Sequence, residues 1–296
     1  MFSYRNPPWP ASQSPPGSAR GGRAPSTNRT RPGLLRRLGR LCFVPDLQVT
    51  WIPFAFWRAL RALGRGKTDL IYSSYPPASA HLLGLLLKRQ TDLPWVADFR
   101  DSWIYDPLDP ELQESPYRWA LETRLEEAVL RSADAIVVAT EAVAEHLRLT
   151  YSEAAKRVHV ITNGFEPGDF RPSDPPPVGD PLRIAHTGSF SISHSKRTPQ
   201  PLFLALKDML ADDPSWAERL HFDLVGALSE EEQRAAQGLV EAGLLHLQGP
   251  QEHAEAIAYQ QRAHALLLVD HARPWVSSNV PGKFYEYLAA ERPVLA

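Results

Sequence analysis

The sequence predicts an α/β protein made of two successive parallel-sheet halves, each expected to be incomplete. Three observations carry this reading. Short apolar runs alternate with helix-length stretches along most of the chain. The runs are β-branched with little polar alternation, which suits strands buried on both faces of a parallel sheet. A stretch holding six Pro and two Gly, residues 167–181, divides the alternation into two series, as a stiff connector would.

The first series starts near residue 46. Strand-like runs stand at DLIYSS (69–74), WVADFR (95–100), AIVVAT (135–140) and VHVITN (158–163), with helical stretches at 77–90, 116–132 and 141–155. The second series reads RIAHTG (183–188), HFDLVG (221–226), LLHLQG (244–249) and ALLLVD (265–270) as strands. Helices are expected at 199–211, 229–241, 252–262 and 281–290, with a last strand at PVLA (293–296). Alternation at this spacing means βαβ units. The domains are therefore 46–166 and 183–296, joined by a 167–182 linker. Residues 1–45 are a Pro/Arg-rich tail, expected to be disordered because it has too little apolar surface to offset its ordering entropy. An opening strand before the first series and a crossover after the last strand are missing, so the sequence reads as a fragment.

Charge and cysteine usage narrow the function. Eight Arg and no acid lie in residues 1–45, so the remainder carries a net −10 against −2 for the whole chain. A nucleic-acid partner is not expected for such a body. One cysteine, Cys42, excludes a disulfide framework and a multi-cysteine metal cluster. No apolar run reaches the ~18 residues of a membrane span, and the start lacks the apolar core of a signal peptide. A cytoplasmic protein, free or peripheral at the inner membrane surface, is the expectation.

Ligands of parallel sheets bind beyond the carboxyl ends of the strands, and a cleft between two such halves is the default site. In the second series, Pro281 and Gly282 open a helix whose free N–H groups and positive end suit an anion, and Lys283 adds a full charge. Ser278 stands just before it, and Glu286 lies one turn on, suited to a sugar or ribose hydroxyl. Gly188 and Ser189 end a strand and allow close backbone approach; Lys196 and Arg197 follow. Two basic clusters could grip a diphosphate without a metal, Arg being the better bidentate partner. In the first series Asp98, Arg100 and Asp101 crowd one strand end, either as an orienting ion pair or as groups that position an acceptor. No Asp-x-Asp triplet, Walker loop, Gly-x-Ser-x-Gly elbow or Gly-x-Gly-x-x-Gly is present.

Taken in order, DLIYSSYPPASAHLLG, LPWVADFRDSW, LEEAVLRSADAIVVATEAVAEHL, VHVITNGFEPGDF, RIAHTGSF and VPGKFYEYLAAERPVLA resemble glycosyltransferase family 4 over residues 46–296. The resemblance implies two Rossmann-like domains of the GT-B fold, both incomplete here. It implies a retaining hexosyltransferase that moves a sugar from a nucleotide-sugar donor to a glycan or lipid-linked acceptor, without metal or other cofactor. The donor would lie on the C-terminal domain, against Gly188, Ser189, Lys196, Arg197, Ser278, Lys283 and Glu286. Ser278 takes the place of the family's first glutamate, and Glu286 matches the second. Arg100 and Asp101 fall on the family's His-Asp segment, with Arg at the His position, and are the catalytic candidates. Glu291 stands where Gly is usual. The alternatives are a non-catalytic or truncated nucleotide-sugar-binding fragment and a nucleotide-sugar epimerase.

One stretch stands apart. WIPFAFWRALRALGRGK (51–67) sets Phe54, Trp57, Leu60 and Leu63 at helical spacing, flanked by Arg58, Arg61, Arg65 and Lys67. The expectation is a helix packing this stripe on the sheet. The other reading is a basic amphipathic helix lying on an anionic membrane surface.

Overall fold

The computed structural model describes residues 43–64, 66, 68–107, 112, 115–171, 176–177, 181–193, 197–270 and 279–296. The tail expected to be disordered falls outside them up to residue 42, as do Arg65, Lys67, Lys196 and Ser278. Two parallel sheets form. The first runs α1 (Ile52–Leu63), β1 (Ile71–Tyr75), α2 (Ala78–Gln90), β2 (Trp95–Phe99), α3 (Pro116–Ser132), β3 (Ala135–Val138), α4 (Glu141–Thr150), β4 (Val158–Val160). The second runs β5 (Leu182–Thr187), α5 (Gln200–Asp212), α6 (Trp216–Arg219), β6 (Leu220–Val225), α7 (Glu230–Glu241), β7 (Leu245–Gly249), α8 (His253–Arg262), β8 (Ala265–Leu267), α9 (Gly282–Ala289), β9 (Val294–Leu295).

The first sheet keeps the chain order β1-β2-β3-β4. Its core gathers Trp95, Ala97, Phe99, Val129, Leu130, Ile136 and Val138, all at most 1% exposed. Gly84 of α2 packs flat on Trp95, where a Cβ would come within 2.7 Å of the indole. The Trp95 indole donates to Ser73 Oγ at 2.9 Å, and that hydroxyl lies 2.8 Å from His81 Nδ1. Burial pushes the His81 pKa down to about 3, so this histidine stays neutral and structural.

Burial on both faces holds for β2 and β6 but not for β1. Alternate side chains of a strand point to opposite faces; Ser73 and Tyr75 are buried while Tyr72 is 61% exposed. Tyr72 and Ser74 share the second face with Asp98, the register partner of Ser74. The Asp98 carboxylate accepts from the Tyr72 hydroxyl at 2.5 Å and the Ser74 hydroxyl at 2.9 Å. That bond is the main reason the phenol pKa is raised to about 12.

The second sheet has the order β7-β6-β5-β8-β9. The chain lays down β5, β6 and β7 in one direction, then returns to put β8 on the free side of β5. Ligands of open α/β sheets sit outside the carboxyl ends of the strands where the order reverses, here β5 and β8. Two glycines let the chain turn at these ends. Gly188 has φ +109 and Gly226 φ +148, and a Cβ on Gly226 would lie 2.3 Å from the Gly188 carbonyl oxygen. Just past the C-cap of α9, Glu291 has φ 55, a left-handed position that favours glycine. That is the physical meaning of Gly being usual there.

Most elements lie within a residue or two of their sequence readings. The 141–155 helix is an exception: it stops at Thr150, and a separate short turn (Ala155–Arg157) leads into β4.

Candidate functional site

The carboxyl ends of β5 and β8 hold two cations side by side. His186, near the end of β5, contacts the Leu267 carbonyl of β8 through Nδ1 at 2.8 Å. Nδ1 therefore carries the proton, since a carbonyl only accepts, and Nε2 is left as an acceptor. It faces Lys283 Nζ at 3.4 Å. Burial and the neighbouring Lys283 charge hold the imidazole pKa at about 3, and its ring stacks on Phe190 at 4.3 Å. A neutral acceptor thus orients the ammonium from below.

Lys283 sits one residue into α9. Burial and the nearby Arg197 charge lower its pKa to about 8, with Glu286 and Asp270 acting against them. Gly188 makes room for it: a Cβ there would stand 2.7 Å from Nζ. The Arg197 side chain is 15% exposed and reaches Asp270 Oδ1 from Nη2 at 3.2 Å. Its Nη1 donates to Ser193 Oγ at 3.3 Å, while Nε is buried without a hydrogen-bond partner among the described residues. Two largely buried cations that repel one another thus stand together, with Asp270 and Glu286 as the opposing charges among the described residues. Such a pair suits an anionic ligand.

Glu286 lies one turn beyond Lys283 and has other partners. Its carboxylate accepts from Gln260 Nε2 at 3.0 Å and stands 3.2 Å from His253 Nε2. Gln260 is fully buried on α8, and the same amide donates to Thr187 Oγ1 at 3.1 Å. The Tyr287 hydroxyl accepts from the Thr187 N–H at 2.9 Å, locking α9 to the end of β5. The loop after Gly188 and Ser189 is tied from another side. The Ser191 N–H donates to Glu232 Oε1 at 3.1 Å, and Glu232 Oε2 accepts from the Ser229 N–H at 2.8 Å. Glu232 is thus both the capping-box residue of α7 and a strut of the glycine loop.

Arg100 and Asp101 follow β2 on the other sheet. Arg100 is exposed and Asp101 half-buried; burial raises the Asp101 pKa, with the Arg100 charge opposing. The next residues are gripped by buried carboxylates of α3. Glu122 Oε2 accepts from the Trp103 indole at 2.9 Å, and Glu126 Oε1 accepts from the Ile104 N–H at 3.2 Å. Arg118 Nη2 donates to Glu122 at 2.6 Å.

The sequence candidates thus sort by place. Gly188, Arg197 and Lys283 come together, with Ser189 in the adjoining loop and Glu286 one helical turn away. Arg100 and Asp101 form a separate cluster, from which Asp98 is drawn off by Tyr72 and Ser74. Lys196 and Ser278 lie outside the described residues. Sequence reasoning missed His186, Gln260 and the Asp270 pairing with Arg197, because a strand histidine or helix glutamine has no local signature. Glu232 did have one: SEEE at 229–232 is a capping-box pattern.

Comparison with known proteins bears on the fold and the family. Residues 2–164 match the family described as glycosyl transferase 4-like domain. No curated protein matches the chain significantly. Among solved structures, sucrose-phosphate synthase from Thermosynechococcus elongatus superposes with a TM-score of 0.59 at 18% identity, over 86% of this chain and 63% of that one. A glycosyltransferase from Rickettsia africae gives 0.55 at 12% identity, over 85% and 63%. The Anabaena HepE protein in complex with UDP and glucose gives 0.51 at 18%, over 82% and 61%. The chain therefore spans somewhat over three-fifths of the length of these neighbours, whose likeness at such identities is one of fold. With the family match over more than half of the sequence and two parallel sheets of the GT-B kind, the chain belongs to the glycosyl transferase 4-like family.

Proposed function

We propose that the chain is the donor-binding and part of the acceptor-binding portion of a retaining glycosyltransferase that uses a nucleotide sugar. The observation that carries this reading is the Lys283–Arg197 pair at the reversal point of the second sheet. Lys283, Arg197 and the first N–H groups of α9 would hold the diphosphate, with Gly188 and Ser189 letting it approach the backbone. In that arrangement no metal is required, because two side-chain cations neutralise the charge that grows on the leaving diphosphate. A carboxylate has about four acceptor sites, and Glu286 uses only part of them on Gln260 and His253. The remainder would accept from donor hydroxyls. Arg100 and Asp101 would position a glycan or lipid-linked acceptor.

Calorimetric titration of UDP, the nucleotide present in the HepE complex, tests the reading. Lys283→Ala and Arg197→Ala should each weaken binding about tenfold to a hundredfold, since a hydrogen bond to a charged group contributes about 1.5–3 kcal/mol. A chelator should leave the wild-type affinity unchanged. No binding of any nucleoside diphosphate, or a strict need for a divalent ion, would overturn it.

A further inference from the structure

The stripe of α1 does not pack as a unit. Leu60 and Leu63 rest on the core with Phe56 and Ala59, whereas Phe54 is 78% exposed and Trp57 63%. Leu47, in the short turn before α1, is 62% exposed. Positions 54, 57, 58 and 61 recur at three- and four-residue steps, one face of a helix, and Arg58 and Arg61 are exposed there too. Large aromatics left in water beside arginines call for a partner.

We propose that this face docks on an anionic lipid surface, with Phe54 and Trp57 entering the headgroup region and Arg58 and Arg61 pairing with lipid phosphates. Charge on the page favours that occupant. From Leu47 to Thr68 there is no acid, and the only acid before it, Asp46, is turned inward. Its Oδ2 accepts from the Ser79 N–H at 2.8 Å, at the start of α2. The eight arginines of residues 1–45 carry charge of the same sign. A second copy is disfavoured: pairing this face with itself would bring four arginines together with no carboxylate between them. A long nucleic acid would run onto the remaining chain, net −10, whereas a bilayer need meet only this face. The inference does not rest on the donor site.

Vesicle co-sedimentation of the full chain is the test, without nucleotide present, so that a failed donor reading would not affect it. Binding is expected to vesicles of phosphatidylcholine with about one-third phosphatidylglycerol and not to phosphatidylcholine alone. Phe54→Ser with Trp57→Ser leaves the arginine-rich tail intact and should weaken binding about tenfold or more. Arg58→Glu with Arg61→Glu should do the same. Unaltered far-UV circular dichroism confirms that each variant folds. Wild-type levels of binding in the aromatic variant would assign attraction to the tail and overturn the proposal. So would a dimer that the aromatic variant converts to monomer, or retention by RNA without retention by vesicles.

Discussion

Lys283 shows what a single position can reveal and hide. A lysine just inside a Pro-Gly helix start is legible as an anion contact, because the spacing alone puts it at a positive helix end. Its reduced charge is not legible, since it comes from burial and from Arg197, 86 residues away in sequence. The consequence is a pH dependence. With a pKa near 8 in the free protein, Lys283 is charged below that pH and loses its proton above it, while a phosphate whose last pKa is about 6 is already mostly ionised and only gains charge. UDP affinity should therefore fall about tenfold as pH rises from about 7 to about 9.5. Lys283→Arg, whose guanidinium stays charged, should bind with little change over that range. Equal slopes for the two proteins would show that another group controls the titration.

Helix α3 makes the corresponding point for an element. Its length, 116–132, is readable from periodicity and from Ser115 and Pro116 at its start. Its chemical role is not, because Glu122 and Glu126 look like solvated charges in sequence. They lie one turn apart on a buried face and hold the loop that follows Arg100 and Asp101. Glu126 also accepts from the Tyr151 hydroxyl at 2.8 Å. Burial raises its pKa from 4.5 to about 7, the hydrogen bonds from Tyr151 and Ile104 opposing. A folded pKa above the unfolded one favours the folded state fully below pH 4.5, and the advantage is lost as pH rises through 7. The change is on the order of 3 kcal/mol. Glu126→Gln keeps the acceptor for Ile104 and cannot ionise. Urea unfolding at about pH 5 and about pH 8 should show the wild type losing stability on that step and the variant losing much less. A wild type equally stable at both values would show that Glu126 ionises without cost.

At the scale of the molecule, the apolar cores do not mix. One joins residues between Ile71 and Val158, and the others lie between Ile184 and Ala290. Every named partner of Lys283 and Arg197 belongs to the second group. UDP at about one hundred times its dissociation constant should stabilise the structure that binds it by about 2.7 kcal/mol. In a thermal scan that shift should fall on the transition of the C-terminal half, reported by Trp216, with the transition around Trp95 and Trp103 left in place. A single transition moved as a whole would show that the halves unfold together.

The sequence by itself determined the class of fold and the order of elements. Those follow from apolar runs and turn residues, both local in the chain. It also marked Gly188, Arg197, Lys283 and Glu286, because strand ends and helix starts announce themselves in a few residues. Only the tertiary structure decided that Gly188, Arg197 and Lys283 meet beside His186. The cause is the return of the chain to place β8 beside β5, a pairing across 80 residues that no local pattern encodes. It likewise decided that the aromatic stripe of α1 divides: the helical period fixes one face, but only the width of the core beneath it determines how much of that face is covered.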